Sequence, residues 1–327
     1  MFGIIFGSVC SLLIHSHHIP ARLRCFIHLV SFTLIKDDVI FHIKYNHPMT
    51  HLITDTTSCI TIEEGRNLGI PVIPQVIVFG EESFLEGIDM DNQAFLDRLS
   101  KSANLPKTAA PPVQEFISTF ARLVPSGEAI LCLHPSADVS GTVRSALTAA
   151  AEFPGADIRV IDTRLVASPL ASLVLQAREW SLQGMPTDLL EQNIREMAKR
   201  GRVYFLVSGL DFLARGGRIG GAQALLGGLL QIKPILKFQD GKVDQYERER
   251  THRRALSRLK QIVIDQAPAH GNSYLTVLHA GVPEQGHSLA EELGKSLGLS
   301  SISVYDMPPA IVTHAGPGVL GAGFFIT

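Results

Sequence analysis

From about residue 50 to residue 200, short apolar runs alternate with longer amphipathic ones, and that alternation narrows the folds open to the chain. "THLITD", "PVIPQVIVFG", "EAILCLHPS" and "DIRVIDT" read as strands. The intervening "TIEEGRNLGI", "DNQAFLDRLSKS" and "VRSALTAAAEF" carry apolar residues at helical spacing, as do "ASLVLQAREWSLQ" and "PTDLLEQNIREMAKR" further on. Strands that alternate with helices are joined by crossovers and lie parallel, so this stretch predicts an α/β sheet.

After Gly201 the pattern changes. "PILKFQ" and "KVDQYERE" flank Asp240-Gly241, a strong hairpin signal. "SRLKQIVIDQA" and "SLAEELGKSLG" read as helices, and "VYFLVSG", "SYLTVLHA" and "SISVYDM" as strands. "AIVTHAGPGVLGAGFFIT" is expected to form two closing strands around a glycine turn. The predicted organisation is a parallel α/β domain over residues 49–200 and an α+β domain over 201–327.

Residues 1–48 do not share these patterns. Seven of the chain's 13 histidines fall at or before His51, with no period to place them. "MFGIIFGSVCSLLIH" lacks a basic flank and a cleavage site and is too short to span a bilayer. The segment is expected to be a poorly ordered extension or a mis-assigned translation start, with a membrane anchor as the alternative. A formal net charge of −2 leaves no footprint for nucleic acid or anionic membrane. Cys10, Cys25, Cys59 and Cys132 form no C-x-x-C pair, which fits cytoplasmic usage and predicts neither a disulfide nor a metal site.

"LARGGRIGGAQALLGGLLQIKPIL" invites a phosphate-loop reading, but no Lys-Ser or Lys-Thr follows its glycines, and their paired spacing misses the dinucleotide fingerprint. It reads instead as an apolar helix whose glycine pair admits something bulky, or as plain helix–helix packing. Ser140-Gly141-Thr142, between a buried strand and a helix, places hydroxyls and free N–H groups at a helix N-terminus. That suits a carboxylate or phosphate, although simple N-capping explains the same residues. A serine hydrolase is the rival reading, with Ser140 as nucleophile and His134, His279 or His314 as base, but the G-x-S-x-G elbow is absent. Thr108 sits in a proline-rich loop, "LPKTAAPP", and is either a donor across a cleft or a turn residue. The run "YERERTHRRA" is a solvated face or a docking patch.

Taken in order, "ITDTTS", "GIPVIPQVIVFGEESFLEGIDM", "LPKTAAPP", "VSGTVRSA", "VIDTRLVA", "ARGGRIGGAQALLGGLLQIKPIL" and "THAGPGVLGAGF" resemble the DegV family from about Met49 to the C-terminus. The resemblance implies a two-domain fold with a tunnel between the domains for one long-chain fatty acid. It also implies a cytoplasmic, non-enzymatic role without a cofactor, in which the bound acid is presented to a separate fatty acid kinase for phospholipid synthesis. A simple lipid carrier is the lesser alternative. By position, Thr108, Ser140, Gly141 and Thr142 would hold the carboxylate, with His279 and His314 in the same region. Leu225, Leu226, Leu229, Leu230 and Ile232 would line the acyl tunnel, and Arg218, Arg250 and Arg253 would dock the kinase. The chain departs from the family where "TSQPS" is common and it has Thr108-Ala109-Ala110-Pro111-Pro112, and again at Ala137, where serine is common.

Overall fold

The structure is a computed structural model that describes residues 50–226, 232–268 and 274–327, together with the backbone of 30–35 and 38–43. Those two early segments, β1 (Val30–Ile35) and β2 (Asp38–Ile43), pair antiparallel, Val30 opposite Ile43. The rest of residues 1–48, on which the expectation of an unordered extension bears, lies outside the described residues.

The chain from residue 50 opens with β3 (His51–Asp55), buried along most of its length. Next comes α1 (Ile62–Leu68), started by a Thr61–Glu64 capping box and stopped at Gly69, whose φ of 71° is left-handed. Then follow β4 (Val72–Ile73), β5 (Val76–Phe79), β6 (Glu82–Leu85), α2 (Asn92–Lys101), β7 (Lys107–Ala109) and α3 (Val113–Leu123). β8 (Ile130–His134), α4 (Thr142–Ala150), β9 (Ile158–Asp162), α5 (Ser168–Leu182) and α6 (Thr187–Lys199) complete this half. β4, β3, β8 and β9 form, in that order, a four-stranded parallel sheet. β6, β5 and β7 make a small antiparallel sheet in which Thr108 stands opposite Ile77.

A second, mixed sheet draws only on residues after 200. Its strands are β10 (Gly201–Leu206), β11 (Lys233–Gln239), β12 (Lys242–Glu249), β13 (Thr276–His279), β14 (Ser303–Asp306) and β15 (Leu320–Phe325), in the order β12-β11-β10-β15-β13-β14. Only β13 and β14 run parallel. The helices here are α7 (Asp211–Arg215), α8 (His252–Gln266), α9 (Pro283–Leu297) and α10 (Pro309–Ala315). One face of the sheet is covered by Leu259, Ile262 and Val263 of α8 and Leu289 and Leu293 of α9. The predicted β11–β12 hairpin is present, with Asp240 at φ 52° and Gly241 at φ 82°, as a tight two-residue turn requires. Its tip is clasped from the other half: Ser136 Oγ donates to the Gly241 carbonyl at 2.9 Å, and Arg164 donates to that of Asp240.

Two local expectations fail. The segment before Gly316 is the helix α10 and not a strand. Pro308 and Pro309 occupy its cap and first turn, where no N–H is needed, and this outweighs the strand preference of Ile311, Val312 and Thr313. Of the expected glycine-rich helix, Gly220–Leu225 is a short 3₁₀ turn, and residues 227–231 lie outside the described residues. Ile77, Phe79 and Phe95 from the first half share one apolar cluster with Val203, Phe205, Leu236 and Phe238 from the second. The candidate site opens inside that cluster.

Candidate functional site

A cavity lies off the carboxyl ends of β3 and β8, with Thr57 and Pro135 in its lining. Crevices at the carboxyl ends of strands are where open α/β sheets bind ligands. One wall is apolar: Val166, Val203, Phe205, Leu213, Phe238 and Leu278, with Met307 and Ile311 beside them. The other end is polar and carries Thr57, Gln75, Thr108, Ser140, Gly141, Arg218 and His314. An apolar volume with a few polar groups gathered by hydrogen bonds on one side fits an amphiphile with a small head.

Local structure explains each polar position. Gly141, the N-cap of α4, has no side chain to offer the first turn and itself lines the cavity. Ser140 Oγ lies 2.7 Å from Thr142 Oγ1 and also accepts the Thr142 N–H at 3.3 Å. Thr142, wholly buried, accepts from Gln75 Nε2 at 2.9 Å. The same nitrogen donates to Asp55 Oδ1 at 3.0 Å, and His134 Nδ1 reaches Asp55 Oδ2 at 2.7 Å. Pairing of β5 with β7 brings in Thr108, whose Oγ1 is 2.7 Å from His314 Nε2.

Burial, with the nearby Arg218 guanidinium second, pushes His314 down to about 4, so its imidazole is neutral at pH 7. The fixed positive charge at this end belongs to Arg218, held by the carbonyls of Val139 at 3.0 Å and Gly216 at 2.7 Å. Next to the cavity residue Ala310, Glu86 accepts the Ala310 N–H at 2.5 Å and the Thr56 hydroxyl, tying the first turn of α10 to the turn after β3. Burial raises this carboxyl to about 7.

The structure therefore gathers Thr108, Ser140, Gly141 and His314 in the cavity lining, with Thr142 buried behind Ser140. It does not bring His279 there. Leu278 lines the cavity, so the strand pleat turns His279 to the opposite side, into a separate groove, 3.3 Å from Asp306. Desolvation lowers the pKa of that imidazole. Leu225 is buried in the shared cluster without lining the cavity, Leu226 is 44% exposed, and Ile232 packs against the cluster. Leu229 and Leu230 lie outside the described residues. Among the described residues the apolar wall comes from Val203, Phe205, Phe238 and Leu278 of the second sheet together with Val166, Leu213, Met307 and Ile311, while Gly220–Leu225 packs along β12. Arg218 is a cavity residue committed to two carbonyls, and not a free surface cation, whereas Arg250 and Arg253 are exposed.

Sequence reasoning missed Gln75, Thr57 and Asp55. A glutamine inside the otherwise apolar run "VIPQVIVF" was the available signal. Ser140 is bonded to Thr142 and to no histidine among the described residues, so the hydrolase reading has no nucleophile–base pair. Among the same residues no three His, Cys, Asp or Glu side chains are placed to hold a metal ion, and no helix is long and apolar enough to cross a membrane.

The family model described as "Uncharacterised protein, DegV family" matches residues 49–327. A DegV domain-containing protein of Halalkalibacterium halodurans is 33% identical over 276 residues, covering 84% of this chain and 98% of its own. Protein DegV of Bacillus subtilis is 32% identical over 274 residues, covering 83% and 96%. Among solved structures, a DegV family protein of Thermus thermophilus, described for its fatty acid binding, superposes with a TM-score of 0.78 at 29% identity, covering 85% of this chain and 100% of its own. DegV of B. subtilis, a fatty acid binding protein, does so at 0.77 and 31%, covering 85% and 99%.

Proposed function

The chain belongs to the DegV family, and from that premise we propose that it binds one long-chain fatty acid and presents the carboxylate to a separate fatty acid kinase, itself performing no chemistry. The observation that carries this reading is the Thr108–His314 pair lining the same cavity as Ser140 and Gly141, the N-cap of α4, with apolar walls beyond. A carboxylate leaving water needs several donors, and hydrogen bonds to a charged group contribute about 1.5–3 kcal/mol each. The tail adds about 0.8 kcal/mol per buried methylene, on the order of 10 kcal/mol for a 16-carbon chain before entropic costs. Arg218 supplies the countercharge beside the head group.

Phosphoryl transfer requires the carboxylate to be reached from outside, and Thr108, Ser140 and His314 are half-buried rather than fully enclosed. The exposed Arg250 and Arg253 are the docking candidates on this reading, which makes the protein a cytoplasmic donor of acyl groups to phospholipid synthesis. Native mass spectrometry of the chain from Met49, before and after solvent extraction, is the deciding experiment. An extractable adduct with the mass of a 16- or 18-carbon acid is expected. A folded protein that stays free of lipid after incubation with such acids contradicts the reading.

A further inference from the structure

A serine hydroxyl can donate or accept, so proximity alone does not make Ser140 a donor to an anion. The groups behind it decide. Asp55 is fully buried and its Oδ1 receives the Thr57 N–H at 3.0 Å and the Thr57 hydroxyl at 2.6 Å. An N–H can only donate, so Oδ1 is fixed as an acceptor. Gln75 must then turn its NH2, and not its carbonyl, toward that oxygen, because two facing acceptors repel. The second N–H of the same nitrogen goes to Thr142 Oγ1.

The Gln75 NH2 can take no proton, so the wholly buried Thr142 hydroxyl has one partner left that can accept, Ser140 Oγ, and donates to it at 2.7 Å. Ser140 Oγ also receives the Thr142 backbone N–H. Both lone pairs of the serine are then occupied, and its own proton is left pointing outward. Its side chain is part of the cavity lining. The polarity set at Asp55 is thus passed through Gln75 and Thr142 to the ligand.

We propose that Gln75, oriented by Asp55, is the positioning residue that makes Ser140 an obligate donor, so that the site selects a carboxylate over the alcohol of the same chain length. This inference rests on the fatty-acid reading above. An alcohol can donate or accept at the head position and is indifferent to the direction of the chain of hydrogen bonds. A carboxylate can only accept and is not.

The test compares hexadecanoic acid with 1-hexadecanol at neutral pH, binding each to the unaltered protein and to Gln75→Glu, Gln75→Met and Thr142→Val. Gln75→Glu offers Thr142 an acceptor and reverses the chain; the other two interrupt it at successive links. In each variant the affinity for the acid is expected to fall about tenfold or more relative to that for the alcohol. A merely structural loss would weaken both ligands alike and leave their ratio unchanged; that outcome, in the variants that fold, overturns the inference. If the unaltered protein takes up neither ligand, the fatty-acid reading itself falls and this one with it.

Discussion

Gly216 and His314 are packed so closely that a Cβ on the glycine would lie 2.2 Å from the imidazole Nδ1. Gly216 has an ordinary helical φ of −76°, so alanine there is not strained by the backbone and its cost falls on the neighbour. Gly216→Ala is expected to push His314 off Thr108 and weaken fatty-acid binding by about tenfold, the value of one hydrogen bond made through that pair. Gly209→Ala, whose Cβ would meet only Asp211 Oδ2 at 3.7 Å, is the matched control. Equal affinities for the two variants in a ligand-displacement assay would remove His314 from the site.

Thr108→Val and Ser140→Ala each delete one hydroxyl at the polar end. Each is expected to cost roughly 1.5–3 kcal/mol of binding, or about 10- to 100-fold in affinity. Both side chains are only part-buried, so thermal stability should change little. Titration calorimetry with a single acid gives the affinity. A full-strength Ser140→Ala variant would mean that α4 and Arg218 hold the carboxylate without it.

Val203 is 5% exposed and its side chain forms part of the apolar wall. Val203→Phe adds bulk into the empty space there and is expected to shift the acids that copurify with the protein toward shorter chains. Mass analysis of solvent extracts reads this directly. An unchanged acid profile would place the tail elsewhere.

The two buried titrating groups near the site act on stability in opposite senses. His314, at about 4, lies below its ordinary 6.5, so the unfolded chain takes up a proton that the folded chain refuses. Its contribution is complete above 6.5 and is lost as pH falls toward 4. Glu86, at about 7, lies above its ordinary 4.5, so its contribution is complete below 4.5 and is lost as pH rises toward 7. Between 4.5 and 6.5 the two slopes oppose each other. His314→Gln should leave stability falling with rising pH across that window, and Glu86→Gln should leave it rising. Urea unfolding of the three proteins over the window tests this, and parallel curves would refute both assignments.

How much of this was legible in the sequence depended on what kind of fact was sought. Strand–helix alternation and the Asp240-Gly241 turn are local signals, and the parallel sheet and the hairpin followed from them. Thr108, Ser140 and His314 are separated by long stretches of chain, and only the ordered motifs, not any spacing rule, suggested that they meet. The error at His279 was avoidable in principle: neighbours in a strand face opposite ways, and an apolar Leu278 lining an apolar cavity leaves its neighbour on the other side. Gln75 was not recognised because its function lies in the partners of its amide, Asp55 and Thr142, which the fold brings from opposite directions in sequence. Leucines 225 and 226 looked like a wall because they are apolar; which apolar residues face an empty space is decided by tertiary packing and not by composition.

The clasp at the Asp240–Gly241 tip has a mechanical corollary. β11 and β12 contribute Phe238 and Val243 to the cavity wall, while the turn that joins them is tethered to Ser136 and Arg164, which follow β8 and β9. Arg164 is itself braced by Asp138 at 2.8 Å, in the loop that leads to Ser140. Outward movement of the hairpin therefore either breaks its bonds to Ser136 and Arg164 or draws on the loop that carries Ser140, which couples the apolar wall at Phe238 and Val243 to the polar residues of the cavity.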